Sequence, residues 1–277
     1  MDKVISYEQI QGFIESIRNL QKGYVTNFFG DPIKHNYWIK TGALFFSGSE
    51  NCYILLYKKN VLCHLFYIAI NMKAVEEAIN LISFETDCVI DIVSKNDYPE
   101  EVLKLATVGF KPYKQLFRMS HIGTLADKSW EIQDGVEYGQ NDEAQQIYDT
   151  LQIGFDPFSE QLPTINEIED YIQRQQLLVI KDKETLCGFL IFTLSGKTTW
   201  YLRYWYTNPE YRDQKIGSRL LKSSLAIGKS TKRQQLWVVS DNENAIKRYK
   251  HYGFSKESMI NYVLIKRKNK QDNHIKI

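Results

Sequence analysis

The stretch from Asn208 to Phe254 contains residues that can hold an anion at the start of a helix. It reads Arg-Asp-Gln-Lys-Ile-Gly over Arg212–Gly217, and the apolar spacing that follows predicts a helix over Gly217–Ile227. The first N–H groups of a helix lack partners within it, and the helix dipole makes that end positive. A loop that contains glycine and opens such a helix therefore predicts an anion site.

The same stretch resembles the acyl-CoA loop of the GNAT superfamily, the acyl-CoA-dependent N-acyltransferases. That loop reads Gln/Arg-x-x-Gly-x-Gly/Ala, and here Arg212 and Gly217 hold its first and last positions. Lys215 stands where the first glycine would be. The residues around the loop that follow the family's usual order and spacing are Pro209, Tyr211, Asn242, Ala245, Tyr249, Gly253 and Phe254. The resemblance covers about half of the chain, from Val136 to Lys268.

The resemblance implies that acetyl-CoA is the acyl donor and that its pyrophosphate lies on the backbone N–H groups of the loop. Charge from Arg212 and Lys215 would support this binding. Lysine at position 215 costs about 1 kcal/mol if the loop needs a positive φ there. The residues that the resemblance assigns to acetyl-CoA are Trp205, Tyr206, Thr207, Arg212, Gln214, Lys215, Ile216, Gly217, Ser218 and Asn242. Asn242 would contact the pantetheine arm, cap the following helix, or do both.

Acyl transfer from a thioester to an amine needs a polarised carbonyl, a neutral amine and a proton for the leaving thiolate. Tyr249 lies four residues before Gly253, where family members often carry the tyrosine that protonates the thiolate. A phenol with a pKa of about 10 suits this step. Tyr249 is therefore the predicted catalytic residue. No metal site is expected, because the histidines are scattered and the cysteines lack metal-ligand spacing.

The general base and the acceptor are open at this stage. The family often has a carboxylate on the strand before the loop, but the predicted strand Thr199–Thr207 has Arg203 and no acidic residue. Asp156 and Glu160 are the alternative candidates, in a loop that this fold places over the acceptor cleft. A backbone carbonyl with water is a further alternative, and Arg203 could hold an acidic group of the acceptor. The strand's aromatic side chains either pack inward or line a pocket for an apolar or ring-bearing acceptor.

The elements that would position these residues occur twice. Asp87–Phe110 overlays Thr231–Phe254 without a gap, at a separation of 253 − 109 = 144 positions, and both segments end in Gly-Phe. The predicted fold is therefore α/β (α+β), with two tandem GNAT-like domains at 1–122 and 130–277. Each would have a mixed, mostly antiparallel central sheet flanked by helices. A coincidental repeat, with an unrelated α/β fold in the first half, is the alternative.

The first half has the repeated elements but lacks the residues of the predicted acetyl-CoA site. Its segment Ile68–Lys73 has no glycine, Leu105 stands in place of Tyr249, and Tyr98 in place of Asn242. We expect a degenerate domain that does not hold acyl-CoA. Its predicted elements are a helix over Ser6–Leu20, strands over Tyr37–Phe46, Asn51–Tyr57 and Val61–Ala69, and a helix over Lys73–Ser83. A linker is expected within His121–Trp130.

The predicted elements of the second half are helices and strands around the loop. They are helices over Glu143–Gln152 and Ile165–Gln173, and strands over Leu177–Lys181, Cys187–Leu194 and Thr199–Thr207.

Bulk composition limits the classes of partner. The formal net charge of +2 over 277 residues does not favour a nucleic-acid partner. No apolar run reaches about 18 residues, and the first residues lack a signal-peptide core, so no membrane span is expected. Cysteines among strand-like apolar residues indicate reduced thiols in a cytoplasmic protein. Oligomeric state is open.

The predicted function is an N-acetyltransferase that acts on a primary amine of a small molecule or peptide. One alternative is a non-catalytic acyl-CoA-binding or scaffold protein. A second is a tandem aminoacyl-tRNA-dependent transferase. This last alternative is disfavoured, because such enzymes usually lose the CoA loop and this chain retains most of it.

Overall fold

The computed structural model describes residues 1–20, 23–59, 61–125 and 130–268. The predicted linker residues Asp127 and Lys128 lie outside this part. Internal contacts divide the chain into an N-terminal unit, Met1–Leu116 with Met259–Ile277, and a C-terminal unit, Phe117–Ser258. The division at 1–122 and 130–277 stays an interpretation of the repeat. The compact units differ from it, because the last strand of each half begins in one unit and ends in the other.

The first half of the chain contains β1 (Asp2–Lys3), α1 (Tyr7–Leu20), β2 (Val25–Thr26), α2 (Pro32–Lys40), β3 (Leu44–Ser49), β4 (Cys52–Lys58), β5 (Leu62–Ala69), α3 (Met72–Asn80), β6 (Asp87–Ser94), α4 (Glu100–Thr107) and β7 (Lys111–Ile122). The second half contains β8 (Glu137–Tyr138), α5 (Ala144–Gly154), α6 (Ile165–Gln173), β9 (Leu177–Asp182), β10 (Thr185–Ser195), β11 (Thr199–Thr207), α7 (Ile216–Ile227), β12 (Arg233–Val239), α8 (Glu243–His251) and β13 (Ser255–Lys266). Single 3₁₀ turns cover Asn141–Glu143 and Pro209–Tyr211.

Each unit is built on a mixed, mostly antiparallel sheet. The N-terminal unit has the strand order β1-β3-β4-β5-β6-β13, with β2 on β5 and only β5 and β6 parallel. The C-terminal unit has the order β7-β12-β11-β10-β9-β8, in which β11 and β12 are parallel. Helices flank both sheets, and the predicted fold class is confirmed.

Two buried clusters lie on the two faces of the C-terminal sheet. One joins residues of α7 and β12, such as Leu220 and Leu236, to Trp200 of β11. The other joins Ile147 of α5 and Ile168 of α6 to residues of β9, β10 and β11. These cores fix β11 between two layers of helices. Across the described part of the chain, no helix has both the length and the apolar character that crossing a membrane would require.

The structure contains the predicted repeat. Gly109 and Gly253, 144 positions apart, have φ values of +90° and +89°. Glycine adopts this conformation without the steric cost that a Cβ would add. Each is followed by a buried phenylalanine, Phe110 or Phe254. Equivalent turns therefore end α4 and α8.

The predicted strand Tyr37–Phe46 is wrong in its first part. Residues Pro32–Lys40 form α2, and the strand begins only at Leu44. The carboxylate of Asp31 accepts hydrogen bonds from Ile33 N and Lys34 N, and Pro32 occupies the first turn. Both features favour a helix start. Aromatic residues gave the segment a strand-like composition, but its cap and its packing determine the helix.

Candidate active site

A β-bulge shapes β11. Ile191 pairs with Tyr204 and Phe192 with Leu202, so Arg203 is the extra residue. The bulge shifts the alternation of side chains by one position. Before it, Leu202 packs into the cluster on the α7 side, whereas after it Tyr204 packs into the cluster on the α5 and α6 side. As a result, Trp205 is the residue that next faces α7.

The parallel strands β11 and β12 pair along only a short part of their length. The paired residues run from Thr199, opposite Arg233, to Tyr201, opposite Gln235. Beyond Tyr201, β11 remains paired with β10 on its other edge, as far as Thr207. The edge of Trp205–Thr207 that faces β12 therefore has no strand partner among the described pairs. The two parallel strands thus diverge beyond Tyr201.

The loop after β11 opens α7 without a side-chain cap. Lys215 is the cap residue, with φ 58° and ψ 17°, and the first main-chain bond of the helix joins Arg219 N to Lys215 O. The N–H groups of Ile216, Gly217 and Ser218 precede that bond and have no acceptor within the helix. Lys215 thus takes the left-handed conformation that favours glycine, so the loop accommodates this departure from the family pattern.

Three side chains of the loop predicted to bind acetyl-CoA, Arg212, Gln214 and Lys215, are exposed. The backbone of α7 begins directly behind them, so charge and bare N–H groups occur together at one helix end. Ser218 differs, because its hydroxyl lies 2.7 Å from the hydroxyl of Tyr252. Its side chain is therefore engaged within the fold, and its predicted contribution to binding would come from its backbone.

Gly217 allows the end of β11 to approach the first turn of α7. A Cβ at this position would lie 3.0 Å from Thr207 Oγ1 and 3.0 Å from Trp205 Cζ2. Both distances are tighter than ordinary contacts, so a larger residue would displace one of these side chains. Trp205 Nε1 is buried and has no hydrogen-bond partner among the described residues. The structure brings three predicted acetyl-CoA residues, Trp205, Thr207 and Gly217, into direct proximity.

Tyr249 lies on α8 beside Trp205. Their ring centroids are 5.7 Å apart, and Tyr249 is 8% exposed. Burial raises the pKa of the Tyr249 phenol above its ordinary value, the Glu160 carboxylate raises it further, and Arg248 acts in the opposite direction. The hydroxyl therefore stays protonated at neutral pH, as a proton donor must. Asn242 caps this helix, since its side chain accepts a hydrogen bond from Ala245 N at 3.1 Å.

The structure distinguishes the roles of Asp156 and Glu160, the two carboxylates that the sequence analysis named as candidate bases. Asp156 forms the turn of its own loop, because its carboxylate accepts from Phe158 N at 3.1 Å and Ser159 Oγ at 2.9 Å. Burial raises the pKa values of Tyr201 and Tyr204 on β11 and of Tyr249, and the Glu160 carboxylate raises them further. Glu160 is therefore the carboxylate that acts on the candidate site.

Arg203 lies among tyrosine rings. Its guanidinium carbon is 5.3 Å from the ring centroid of Tyr201 and 5.7 Å from that of Tyr204. Tyr171, on α6, packs against the buried cluster that contains Tyr204. Burial raises the pKa of its phenol, and the Arg203 guanidinium acts in the opposite direction. The sequence gave no signal for Tyr171, because nothing in its neighbourhood on α6 indicates that it faces β11.

The corresponding place in the N-terminal unit is filled by the chain itself. Strands β5 and β6 pair only over Leu62–His64 and Asp87–Val89. Beyond that, β2 pairs with β5, and Asn27 Nδ2 donates to Leu65 O at 3.0 Å and to Asp91 O at 3.2 Å. Asn27 therefore bridges the two strands where they diverge.

The helix that follows β5 also differs from α7. Only two residues separate β5 from α3, whereas eight separate β11 from α7. The side chain of Asn71 caps α3 by accepting from Ala74 N at 3.0 Å. No loop precedes this helix, and one of its first N–H groups already has a partner. The features that would receive an acyl-CoA in the C-terminal unit are therefore replaced here.

Among the described residues, no group of three or more His, Cys, Asp or Glu side chains could hold a metal ion.

Comparisons with known proteins agree with this geometry. The family model described as "Acetyltransferase (GNAT) family" matches residues 144–254. The match begins at α5 and ends at the repeated Phe254, so it contains every residue assigned above to acetyl-CoA or to the acceptor. None of the curated protein sequences matches the chain significantly.

Several solved structures share the fold. A tandem GNAT protein from the clavulanic acid biosynthesis pathway has a TM-score of 0.62 at 10% identity, covering 98% of this chain and 99% of its own. A GNAT-family acetyltransferase from Colwellia psychrerythraea has a TM-score of 0.55 at 14% identity, covering 96% and 98%. A GCN5-related N-acetyltransferase from Sphaerobacter thermophilus has a TM-score of 0.54 at 11% identity, covering 78% and 76%. Residues 144–254 thus match the GNAT acetyltransferase family, and the chain shares the fold of a tandem GNAT protein.

Proposed function

We propose that the C-terminal unit transfers an acetyl group from acetyl-CoA to an amine of a small molecule or peptide. The observation that carries the proposal is the open edge of β11 beside the uncapped start of α7. The backbone of Trp205–Thr207 can pair with the pantetheine arm, and the bare N–H groups of α7 can bind the pyrophosphate. Arg212 and Lys215 add positive charge at the same helix end.

The chemistry follows from the side chains around this edge. The neutral amine attacks the thioester carbonyl, the C–N bond forms, and the C–S bond breaks. The leaving thiolate takes the proton of the buried Tyr249 hydroxyl, which is protonated at neutral pH. Glu160 takes the proton that the amine loses, directly or through water. Solvent then reprotonates Tyr249.

Two features of the N-terminal unit support the proposal that each chain binds one acetyl-CoA. Asn27 occupies the divergence of β5 and β6, and Asn71 caps α3. We therefore propose that this unit does not bind acyl-CoA. A cytoplasmic location and the absence of a nucleic-acid partner stay predictions. The four cysteines are free and buried, which agrees with a reducing compartment.

Calorimetric titration with acetyl-CoA tests the site, with the variant Gly217→Glu as the main comparison. We expect one binding site in the wild type. In the variant we expect affinity to fall by about 100-fold or more, because a carboxylate placed against a pyrophosphate costs several kcal/mol. Gly217→Ala separates the effect of bulk from that of charge, since it adds the same Cβ and no carboxylate. It should bind more weakly than the wild type and more tightly than Gly217→Glu.

Lys73→Glu is the matched control in the N-terminal unit. Lys73 overlays Gly217 in the repeat and lies in the first turn of α3. Its replacement should leave affinity and stoichiometry unchanged. Two acetyl-CoA molecules per chain, or retained affinity in folded Gly217→Glu, would remove this loop from the site. Acetyl-CoA binding without acetylation of any amine would instead favour a non-catalytic acyl-CoA-binding protein.

A further inference from the structure

We propose that Arg203 binds an acidic group of the acceptor, so that the preferred acceptors are amines with a carboxylate and an apolar or aromatic body. The proposal rests on the proposed acetyl transfer for its reaction. Binding of the acidic group itself can be measured without turnover.

The bulge determines the position of Arg203. It is the extra residue between two paired positions of β11, and such a residue is unpaired in the ladder and re-aims its side chain. The strand is closely flanked on both faces by buried side chains. A charged residue at this position is costly unless it meets a partner, because burial penalises an unpaired charge. The presence of Arg203 in the middle of a core strand therefore needs an explanation.

The surroundings of Arg203 provide rings and hydroxyls but no counter-ion. Tyr201 and Tyr204 place their ring faces within cation–π range of the guanidinium, and Tyr171 packs against the cluster that contains Tyr204. Arg203 Nε is buried and has no hydrogen-bond partner in the part of the chain that the structure describes. Among the described residues, no Asp or Glu forms a salt bridge with Arg203.

Two other arginines of this unit with low exposure, Arg118 and Arg233, both bind the carboxylate of Glu257. Arg203 has no such carboxylate among the described residues, and its planar donors match a carboxylate in geometry. A buried donor without a partner, next to aromatic rings, is the arrangement that an amphipathic carboxylate would complete.

Glu160 links this cluster to the reacting groups. Burial raises the pKa values of Tyr201 and Tyr204 beside Arg203 and of Tyr249, and the Glu160 carboxylate raises each of them further. Its charge therefore acts both on the tyrosines beside Arg203 and on Tyr249. An acceptor anchored through its carboxylate at Arg203 would have its amine directed towards Glu160 and Tyr249. This orientation suits an amine that must lose a proton before it attacks.

The first experiment measures binding of the anion alone. We expect 3-phenylpropionate to bind the wild type at least about tenfold more tightly than 3-phenylpropanol, in isothermal titration. Arg203→Gln should remove this preference. Arg203→Lys, which retains the charge without the planar fork, should preserve part of it. Equal affinity for the acid and the alcohol, or a preference that persists in Arg203→Gln, would overturn the proposal.

Arg174→Gln is the matched control. Arg174 follows α6 directly, is partly exposed and pairs with Asp170. The substitution removes the same charge from the same region without touching the tyrosine cluster. The preference for phenylpropionate should persist in this variant. Its loss there would attribute the effect to general charge and contradict a specific site at Arg203.

The second experiment uses the reaction, with phenylalanine and phenethylamine as matched acceptors. Release of the CoA thiol should show at least about a tenfold higher kcat/KM for phenylalanine. Arg203→Gln should raise KM for phenylalanine at least about tenfold with little change in kcat, and leave phenethylamine unaffected. Equal losses with both amines would indicate a structural role. If acetyl-CoA binds but neither amine reacts, the proposed function fails for these acceptors, and the binding experiment alone decides the role of Arg203.

Discussion

At the scale of single residues, Tyr249 carries the most specific chemical prediction. Its ring packs against Trp205 and Phe254, so Tyr249→Phe keeps the packing and removes only the hydroxyl. We expect kcat to fall by about 100-fold, because proton transfer by a positioned group contributes 100-fold or more. The Kd for acetyl-CoA should stay within about twofold. Steady-state kinetics and calorimetry on the same preparation measure both quantities, and an unchanged kcat would show that another group protonates the thiolate.

The residues that follow a local pattern were the ones that the sequence predicted well. Asn242 caps α8, as the sequence suggested. The surroundings of Arg203 could not be predicted from a local pattern. The sequence named Arg203 as an acceptor contact, and the family resemblance implies a bulge in this strand, but neither placed Arg203 as its extra residue. The inclusion of Tyr171 depends on which face of α6 packs against β11. Such relations between distant segments leave no signal in local spacing.

At the scale of elements, the start of α7 stores a small strain at Lys215. Relief of a positive φ by Lys215→Gly is worth about 1–2 kcal/mol, and the added flexibility of glycine costs about 0.5–1 kcal/mol. We therefore expect the free energy of unfolding to rise by about 0.5 kcal/mol, measured by urea denaturation.

Lys222→Gly is the control for this prediction. Lys222 lies inside the same helix, where glycine is unfavourable, so the free energy of unfolding should fall by about 1 kcal/mol. The two substitutions are chemically identical and should have opposite signs. An equal loss in both variants would mean that position 215 does not need the left-handed conformation.

Most elements could be predicted because their periodicity was strong. The helix Ile165–Gln173 and the strand Thr199–Thr207 have the predicted bounds. The failure at Tyr37–Phe46 arose where aromatic composition and a helix cap gave opposite signals. The short strand β2 was not predicted at all, since it exists only through its pairing with β5.

At the scale of the whole molecule, the two halves of the repeat share their elements but differ in the residues at the candidate site. Both units keep the parallel pair of strands that diverges, and both keep the Gly-Phe turn. In the N-terminal unit, Asn27 satisfies the backbone groups that the divergence would otherwise leave unpaired. Buried backbone groups need such partners. The sequence predicted a degenerate first half from the missing loop, but not that Asn27 would bridge the diverging strands.

The two units should also differ in their response to acid, because the buried histidines, His35 and His64, both lie in the N-terminal unit. Burial, aided by Lys34, lowers the pKa of His35 to about 4, and its Nδ1 accepts a hydrogen bond from Asp31 N. Burial also lowers the pKa of His64 well below its ordinary value. Each ring is therefore neutral in the folded unit, whereas it takes up a proton near pH 6.5 once unfolded.

The stability of the N-terminal unit should therefore be complete above pH 6.5 and fall as the pH drops towards 4. A folded pKa below the unfolded one means that the unfolded state binds the extra proton. For His35 the shift of 6.5 − 4 = 2.5 pKa units corresponds to about 3 kcal/mol. Glu257, in the C-terminal unit, has a pKa lowered to about 2 and loses its contribution to stability only below pH 4.5.

Hydrogen exchange followed peptide by peptide from pH 7 to 4.5, corrected for the intrinsic rate, should show protection falling first in the N-terminal unit. His35→Gln should reduce that pH dependence, and equal losses in both units would contradict the assignment to buried histidines.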